Sequence, residues 1–280
     1  MALTRTRPVT RGAQYVALVA YMVFLGFPLF YLLMASLKST QQLASLDVWI
    51  FPRSLHWENF SEALASQGIV RATANTAIVS LITTVVVTAV ALPAAYAMAR
   101  FRGRLRMIGT GYILVSQVFP VILIIIPLFL ILRTINLNDS LLGLTLVYVT
   151  FCLPFALWML QGFVAAIPVS LEEAAAMDGA SRFTMLRTVV FPLLVPGTVA
   201  TAMFTFVSAW NEFFFALVLL QSPENFTLSR SLALFVGAEG QVRLGPLAAG
   251  AVLASIPSLV FFAILQRRLT GGLLSGAVKG

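Results

Sequence analysis

Six long apolar runs, separated by short polar segments, set the pattern of this chain. They cover Tyr15–Ser36, Thr76–Ala99, Met107–Leu132, Leu142–Ala166, Val195–Leu220 and Leu247–Leu265. A helix rises 1.5 Å per residue, so about 20 apolar residues cross a bilayer core. The pattern predicts an all-α membrane protein with six transmembrane helices. Five of the runs are free of charged residues, and the fifth holds one, Glu212. Pro28, Pro93, Pro120, Pro127, Pro154 and Pro257 lie inside runs. Proline removes a backbone donor and bends a helix, which a bundle tolerates where neighbours satisfy the freed carbonyls. That density favours a bundle that moves or lines a path. The first run follows Arg5, Arg7 and Arg11, as a signal peptide would. It is longer than a signal core and lacks a small-residue cleavage site, so it is read as a retained span.

Composition agrees with this pattern. Hydrophobic residues make up 60% of the 280 and charged residues 10%, far from the roughly 45–50% and 25% of soluble domains. The net charge of +8 would suit a nucleic-acid partner, but its distribution assigns it to topology. With the N-terminus inside, the inner segments hold Arg5, Arg7, Arg11, Arg100, Arg102, Arg104, Arg106, Arg182, Arg187, Arg267, Arg268 and Lys279. The outer segments hold only Lys38, Arg53, Arg71, Arg133, Arg230 and Arg243, offset by six acids. This is a positive-inside bias with both termini cytoplasmic, and it needs no nucleic acid. The single cysteine, Cys152, lies in an apolar run, excludes an intramolecular disulfide and reads as a small hydrophobe.

Several kinds of chemistry are absent from the sequence. There is no G-x-x-x-x-G-K-[ST] phosphate loop, one histidine (His56), and no His, Cys, Asp or Glu cluster with metal-ligand spacing. No nucleophile–base pair stands out. The expectation is a chain that is not an enzyme and holds no cofactor or metal. Glu212 is the ionisable group at membrane depth, and such a group is a functional candidate by default. It sits among Trp210, Asn211 and Phe214. Two readings stay open: these four residues touch a solute, with aromatic faces suited to sugar rings, or Asn211 and Glu212 bond to a neighbouring helix.

Between the fourth and fifth runs stands a polar stretch, SLEEAAAMDGASRFTMLRTVVFPLLVPG, residues 170–197. Pro168 suits a helix start and Glu172 and Glu173 suit its first turns. Ala174, Ala175 and Ala176 favour helix and permit close approach. Gly179 supplies the turn and Ser181 caps a second helix. Phe183, Leu186 and Val190 recur at helical spacing as an apolar stripe. The product is a cytoplasmic helix–turn–helix elbow suited to docking in a protein groove. A headgroup-lying elbow fits less well, because its acids would face an anionic leaflet.

Here the residues carry a resemblance. Glu173-Ala174-Ala175, three residues, Gly179, nine residues, Val189, one residue, Phe191-Pro192 resembles the EAA loop of permease subunits of binding-protein-dependent ABC importers. Val189 and Phe191 stand where that pattern most often has Ile and Leu. Leu55-His56-Trp57-Glu58-Asn59-Phe60 resembles the outer-loop signature, and Ala209-Trp210-Asn211-Glu212-Phe213 the fifth-span signature. Gly272–Gly280 is similar to the tail of maltose-type carbohydrate permeases.

The resemblance implies a type I importer permease fold, forming half of a carbohydrate pore in a bacterial inner membrane. It implies that the EAA elbow couples to a cytoplasmic ATPase, through Glu172, Glu173, Ala174, Ala175, Asp178, Gly179, Phe183 and Leu186. Ser275, Gly276 and Lys279 of the tail would also reach that ATPase. Further implied partners are a second, related permease, a dimer of P-loop ATPases that binds ATP and Mg, and an extracytoplasmic solute-binding protein. The expected organisation is an N-terminal span and outer loop over 1–70, a permease domain over 71–266 with the loop at 167–194, and a tail over 267–280. The competing reading is a proton-driven secondary transporter, which would want paired intramembrane acids and repeated halves. A membrane scaffold without transport is a third, opposed by the prolines and Glu212.

Overall fold

The computed structural model describes residues 8–45, 49–65, 68–101, 103–237 and 242–277. Among these residues the chain is helical apart from turns and one isolated bridge, Val236 to Val242. In chain order the α-helices are α1 (Pro8–Ser36), α2 (Thr40–Ala44), α3 (Glu58–Ala65), α4 (Ile69–Arg100), α5 (Arg104–Val118), α6 (Val121–Thr134) and α7 (Leu141–Ala165). Then follow α8 (Val169–Met177), α9 (Arg182–Met185), α10 (Phe191–Asn211), α11 (Phe214–Leu219), α12 (Leu228–Leu232) and α13 (Leu244–Ala277). Contacts divide the chain into two compact units: residues 1–69 with 232–255, and residues 70–231 with 256–280.

Among the described residues five helices are long and apolar enough to cross a membrane, within α1, α4, α7, α9–α10 and α13. The run expected as a third continuous span is instead a pair of helices, α5 and α6, bent by 107° at Phe119–Pro120. Pro120 cannot donate to the preceding turn, and the chain stops and restarts there. Counting the pair as one span restores six. The fifth expected span is also broken, between α10 and α11.

In the first unit, α1 presents its aliphatic and aromatic side chains outward along the whole membrane-length window. An apolar outer surface suits a membrane-spanning helix, because hydrocarbon offers polar groups no partner. Its C-terminal end is pinned by Asn59 of α3, whose amide donates to the Ser36 and Lys38 carbonyls at 2.9 Å. Arg243 pairs with Glu62 and lies over the Phe235 ring.

In the second unit, α7 and α10 form the centre. Gly197 lets α10 approach α7 closely: a methyl there would come within 2.4 Å of the Phe163 ring. One core gathers Val87, Ala91, Ala95, Met98, Ile113, Ala156, Leu157 and Leu160. A second lies beneath the polar stretch and joins Val164, Ile167, Met185, Val190 and Leu194. Small alanines and glycines at such contacts let helices pack without a hydrophobic drive from lipid.

Candidate functional site: a clamped elbow and a broken span

The polar stretch folds as an elbow. Pro168 caps the start of α8 with extended backbone. At the far end Gly179 adopts φ +80°, a left-handed conformation that glycine reaches without a Cβ clash. The Ala180 N–H then donates to the Ala175 carbonyl, and the Gly179 N–H to that of Ala176. This is the Schellman pattern that closes a helix. Ser181 begins α9 by accepting from the Thr184 N–H. A π-helical turn, Leu186–Val190, follows and runs into α10. Pro192 lacks the N–H for an ordinary α-turn, and the backbone widens just before it.

The root of the elbow is fixed to the end of α4. Glu172 is buried, with 8% exposure. Its carboxylate accepts from Arg100 Nε at 2.7 Å and from the Tyr96 hydroxyl at 2.8 Å. Arg100 also donates to the Ile167 carbonyl at 2.8 Å. It stands in the last turn of α4, where the helix dipole favours a cation. Ala175 and Leu186 pack on the core beneath. Glu172 is thus turned inward as an anchor, while adjacent Glu173 is exposed. One residue along a helix rotates the side chain by about 100°, enough to send two neighbouring acids to opposite environments.

The exposed surface of the elbow holds Glu173, Ala174, Asp178 and Gly179, with Met177 at 88% and Phe183 at 72% exposure. The expected apolar stripe of Phe183, Leu186 and Val190 is divided. Val190 is fully buried, Leu186 half-buried and Phe183 outward, while Met185 joins the core. A fixed helical spacing fails here because the chain restarts at Ser181 and widens at 186–190. Met177, which the sequence pattern did not single out, becomes the most exposed large apolar side chain of the elbow.

The second candidate region is the break after Asn211. Glu212 takes an extended ψ of 132° and Phe213 precedes α11. The Glu212 carboxylate accepts from the N–H groups of Phe215 and Ala216 at 2.9 and 3.2 Å. It also accepts from the Tyr148 hydroxyl of α7 at 2.6 Å. An acid at a helix N-terminus meets unpaired N–H groups and the positive end of the dipole. Glu212 therefore closes the break and ties it to α7. Tyr148 is 2% exposed and lies 64 residues away in sequence, so nothing local marked it. Asn211 donates to the Val207 carbonyl of its own helix and is exposed. Trp210, expected beside a solute path, is buried at 3%. It stacks on Phe206, which stacks in turn on Phe261. Phe214 is half-buried against Phe215.

A third region clamps the loop before α7. Asp139, at φ 49°, accepts from the Gln221 and Ser222 N–H groups and from Ser222 Oγ. Burial pushes its carboxyl up. The hydrogen bonds from Ser222, the Gln221 and Ser222 backbone and Asn225 outweigh that and hold it below the usual carboxylate value. Of the tail residues, Ser275 and Gly276 continue the backbone of α13, and Lys279 lies outside the described residues. Among the described residues no three His, Cys, Asp or Glu side chains gather to hold a metal ion.

Spans of membrane length, a clamped polar elbow and a helix broken at an acid together describe a polytopic membrane protein. Residues 91–273 match the family described as the binding-protein-dependent transport system inner membrane component, and the chain belongs to it. It is thus an inner-membrane component of a transport system, multi-pass, with the fold of ABC importer permeases. The chain is similar to a Streptomyces antibioticus chain named as an ABC transporter permease protein, 54% identical over 81% of this chain and 99% of that one. It is 38% identical to the trehalose transport system permease protein of Mycobacterium tuberculosis, over 96% and 99%. It is 36% identical to a diacetylchitobiose uptake system permease protein of Streptomyces coelicolor, over 96% and 98%. Among solved structures, a bacterial ABC transporter that imports alginate superposes with a TM-score of 0.72 at 24% identity, covering 95% of this chain and 99% of that chain.

Proposed function

We propose that this chain forms half of the translocation pore of an ATP-driven carbohydrate importer. A second, related permease completes the pore, and an extracytoplasmic binding protein delivers the solute. Two P-loop ATPases bind the ATP and Mg, and this chain performs no catalysis itself. The observation that carries the reading is the elbow, rigidly anchored at its root by Arg100 and Glu172 while Glu173, Met177 and Phe183 project outward. A coupler needs that combination: a surface that receives force and a stiff link to the spans. Trehalose and diacetylchitobiose in the names of relatives support a sugar of two or a few rings as the solute. The Lys and Arg bias supports cytoplasmic termini and a cytoplasmic elbow.

Glu212 belongs to the packing of the broken span, since its carboxylate is already engaged by three donors. The same engagement, together with the family, leaves nothing in favour of a proton-driven carrier. The test is uptake in proteoliposomes holding the chain with its partner subunits and binding protein. Trehalose, diacetylchitobiose, maltose and glycerol phosphate form the solute panel. ATP-dependent uptake of a sugar supports the reading. Uptake driven by a proton gradient without ATP overturns it.

A further inference from the structure

We propose that a cavity between the end of α4, the start of α5 and the inner side of the elbow binds the phosphate of a membrane phospholipid headgroup. The cavity measures about 760 Å³, within the size range of small-molecule sites. Arg100, Arg106 and Arg182 line it, with Glu172 as the one acid. Both Glu172 oxygens are taken, by Arg100 and Tyr96. Arg106 and Arg182 are exposed, and no hydrogen bond or ion pair to another described residue engages them. Arg100 and Glu172 neutralise each other, so the guanidiniums of Arg106 and Arg182 are left to border a space with no other acid among its described lining residues. Guanidinium groups favour phosphate because their planar fork can give paired hydrogen bonds to its oxygens.

The walls add a second feature. Phe101, Phe191, Ala99 and Pro93 line the same space, so a charged patch adjoins an apolar one. That pairing fits a phosphodiester continuing into acyl chains better than a free ion. Arg100 also ends a span-length helix, which puts the cavity at a membrane boundary. The Lys and Arg bias makes this the cytoplasmic boundary, where basic pockets between helices meet anionic headgroups. The exposed acids Glu173 and Asp178 are not among the lining residues. This orientation rests on the permease reading above.

The test uses the purified importer complex in mixed micelles of phosphatidylglycerol and phosphatidylcholine, with retained lipid counted by native mass spectrometry. The cavity variant is R106Q/R182Q. The control variant is R104Q/R187Q, which removes the same charge from exposed residues outside the cavity. Wild type and control should retain phosphatidylglycerol over phosphatidylcholine. The cavity variant should bind it on the order of 25-fold more weakly, about fivefold per arginine. Equal loss in both variants would reduce the effect to general surface charge and overturn the site. Unchanged lipid with lost ATPase co-purification in the cavity variant would assign the cavity to a protein partner instead. Inorganic phosphate binding without lipid retention would keep an anion site and overturn the headgroup. Uptake and co-purification on the same samples show separately whether the permease reading itself fails.

Discussion

Glu172 and Glu212 each accept a hydrogen bond from a tyrosine on a neighbouring helix, at 2.8 and 2.6 Å. Only Glu172 also meets an arginine. Its charge is balanced by a charge, and the pair joins the elbow to the end of α4. Glu212 is balanced by dipoles, two backbone N–H groups and a hydroxyl, and its bonds mend a gap within one span. The contrast separates two ways of keeping an acid inside an apolar protein. A full counter-charge suits a joint that must stay stiff under load. Neutral donors suit a helix end, where unpaired N–H groups already exist.

The largest effect expected from this contrast is at the joint. Arg100→Ala strands the Glu172 carboxylate in a site with 8% exposure. Breaking one partner of a buried pair costs about 3–5 kcal/mol, read as a large fall in the melting temperature of the purified complex. Arg100→Lys should recover only part, because one ammonium cannot reproduce bonds to both Glu172 and Ile167. A melt unchanged in Arg100→Ala would show that the pair carries no load.

At the break, Glu212→Ala should cost less, about 2–4 kcal/mol, by leaving the Tyr148 hydroxyl and two N–H groups without their acceptor. Tyr148→Phe removes one of the three donors and should cost about 1–2 kcal/mol. Solute affinity should be the same in Tyr148→Phe and wild type. A selective loss of affinity at normal stability would move Glu212 from packing to the solute path.

The smallest effect is at the Asp139 clamp, and it depends on pH. The folded carboxyl is held below its ordinary value. Its contribution is therefore complete above the ordinary carboxylate range and is lost as pH falls through the depressed folded value. Asp139→Asn keeps a residue that tolerates positive φ but removes the charge. The stability gap between wild type and this variant should be present at pH 7 and should close as the medium turns acidic. A gap independent of pH would show that hydrogen-bond geometry, not charge, carries the clamp.

The sequence pattern located α1, α4, α7, α10 and α13, because apolar length is a local property, but it read the bent pair α5 and α6 as one continuous span. It also located the elbow, since Pro168, Gly179 and Ser181 act on their own backbone. It did not show which way neighbouring acids point. Glu172 and Glu173 are alike in sequence, and what separates them is Arg100, 72 residues away. Phe183 was placed by a helical period that the π-turn at 186–190 interrupts. The break at Glu212 was hidden because a carboxylate can replace a turn of helix without any Pro or Gly to mark it. Trp210 carried two readings in sequence, a platform for sugar or a packing residue, and Phe206, four residues earlier, stacks on it in the core.

In the proposed coupling, the outward surface of the elbow receives work from a partner ATPase. The most direct test of that coupling is solute-stimulated ATP hydrolysis by the purified complex carrying Glu173→Ala or Phe183→Ala. Both side chains are exposed, so the fold and the clamp should survive and the melt should match wild type. Stimulation by binding protein and solute should fall about tenfold or more, the equivalent of ~1.4 kcal/mol in coupling. Stimulation equal to wild type in both variants would contradict it.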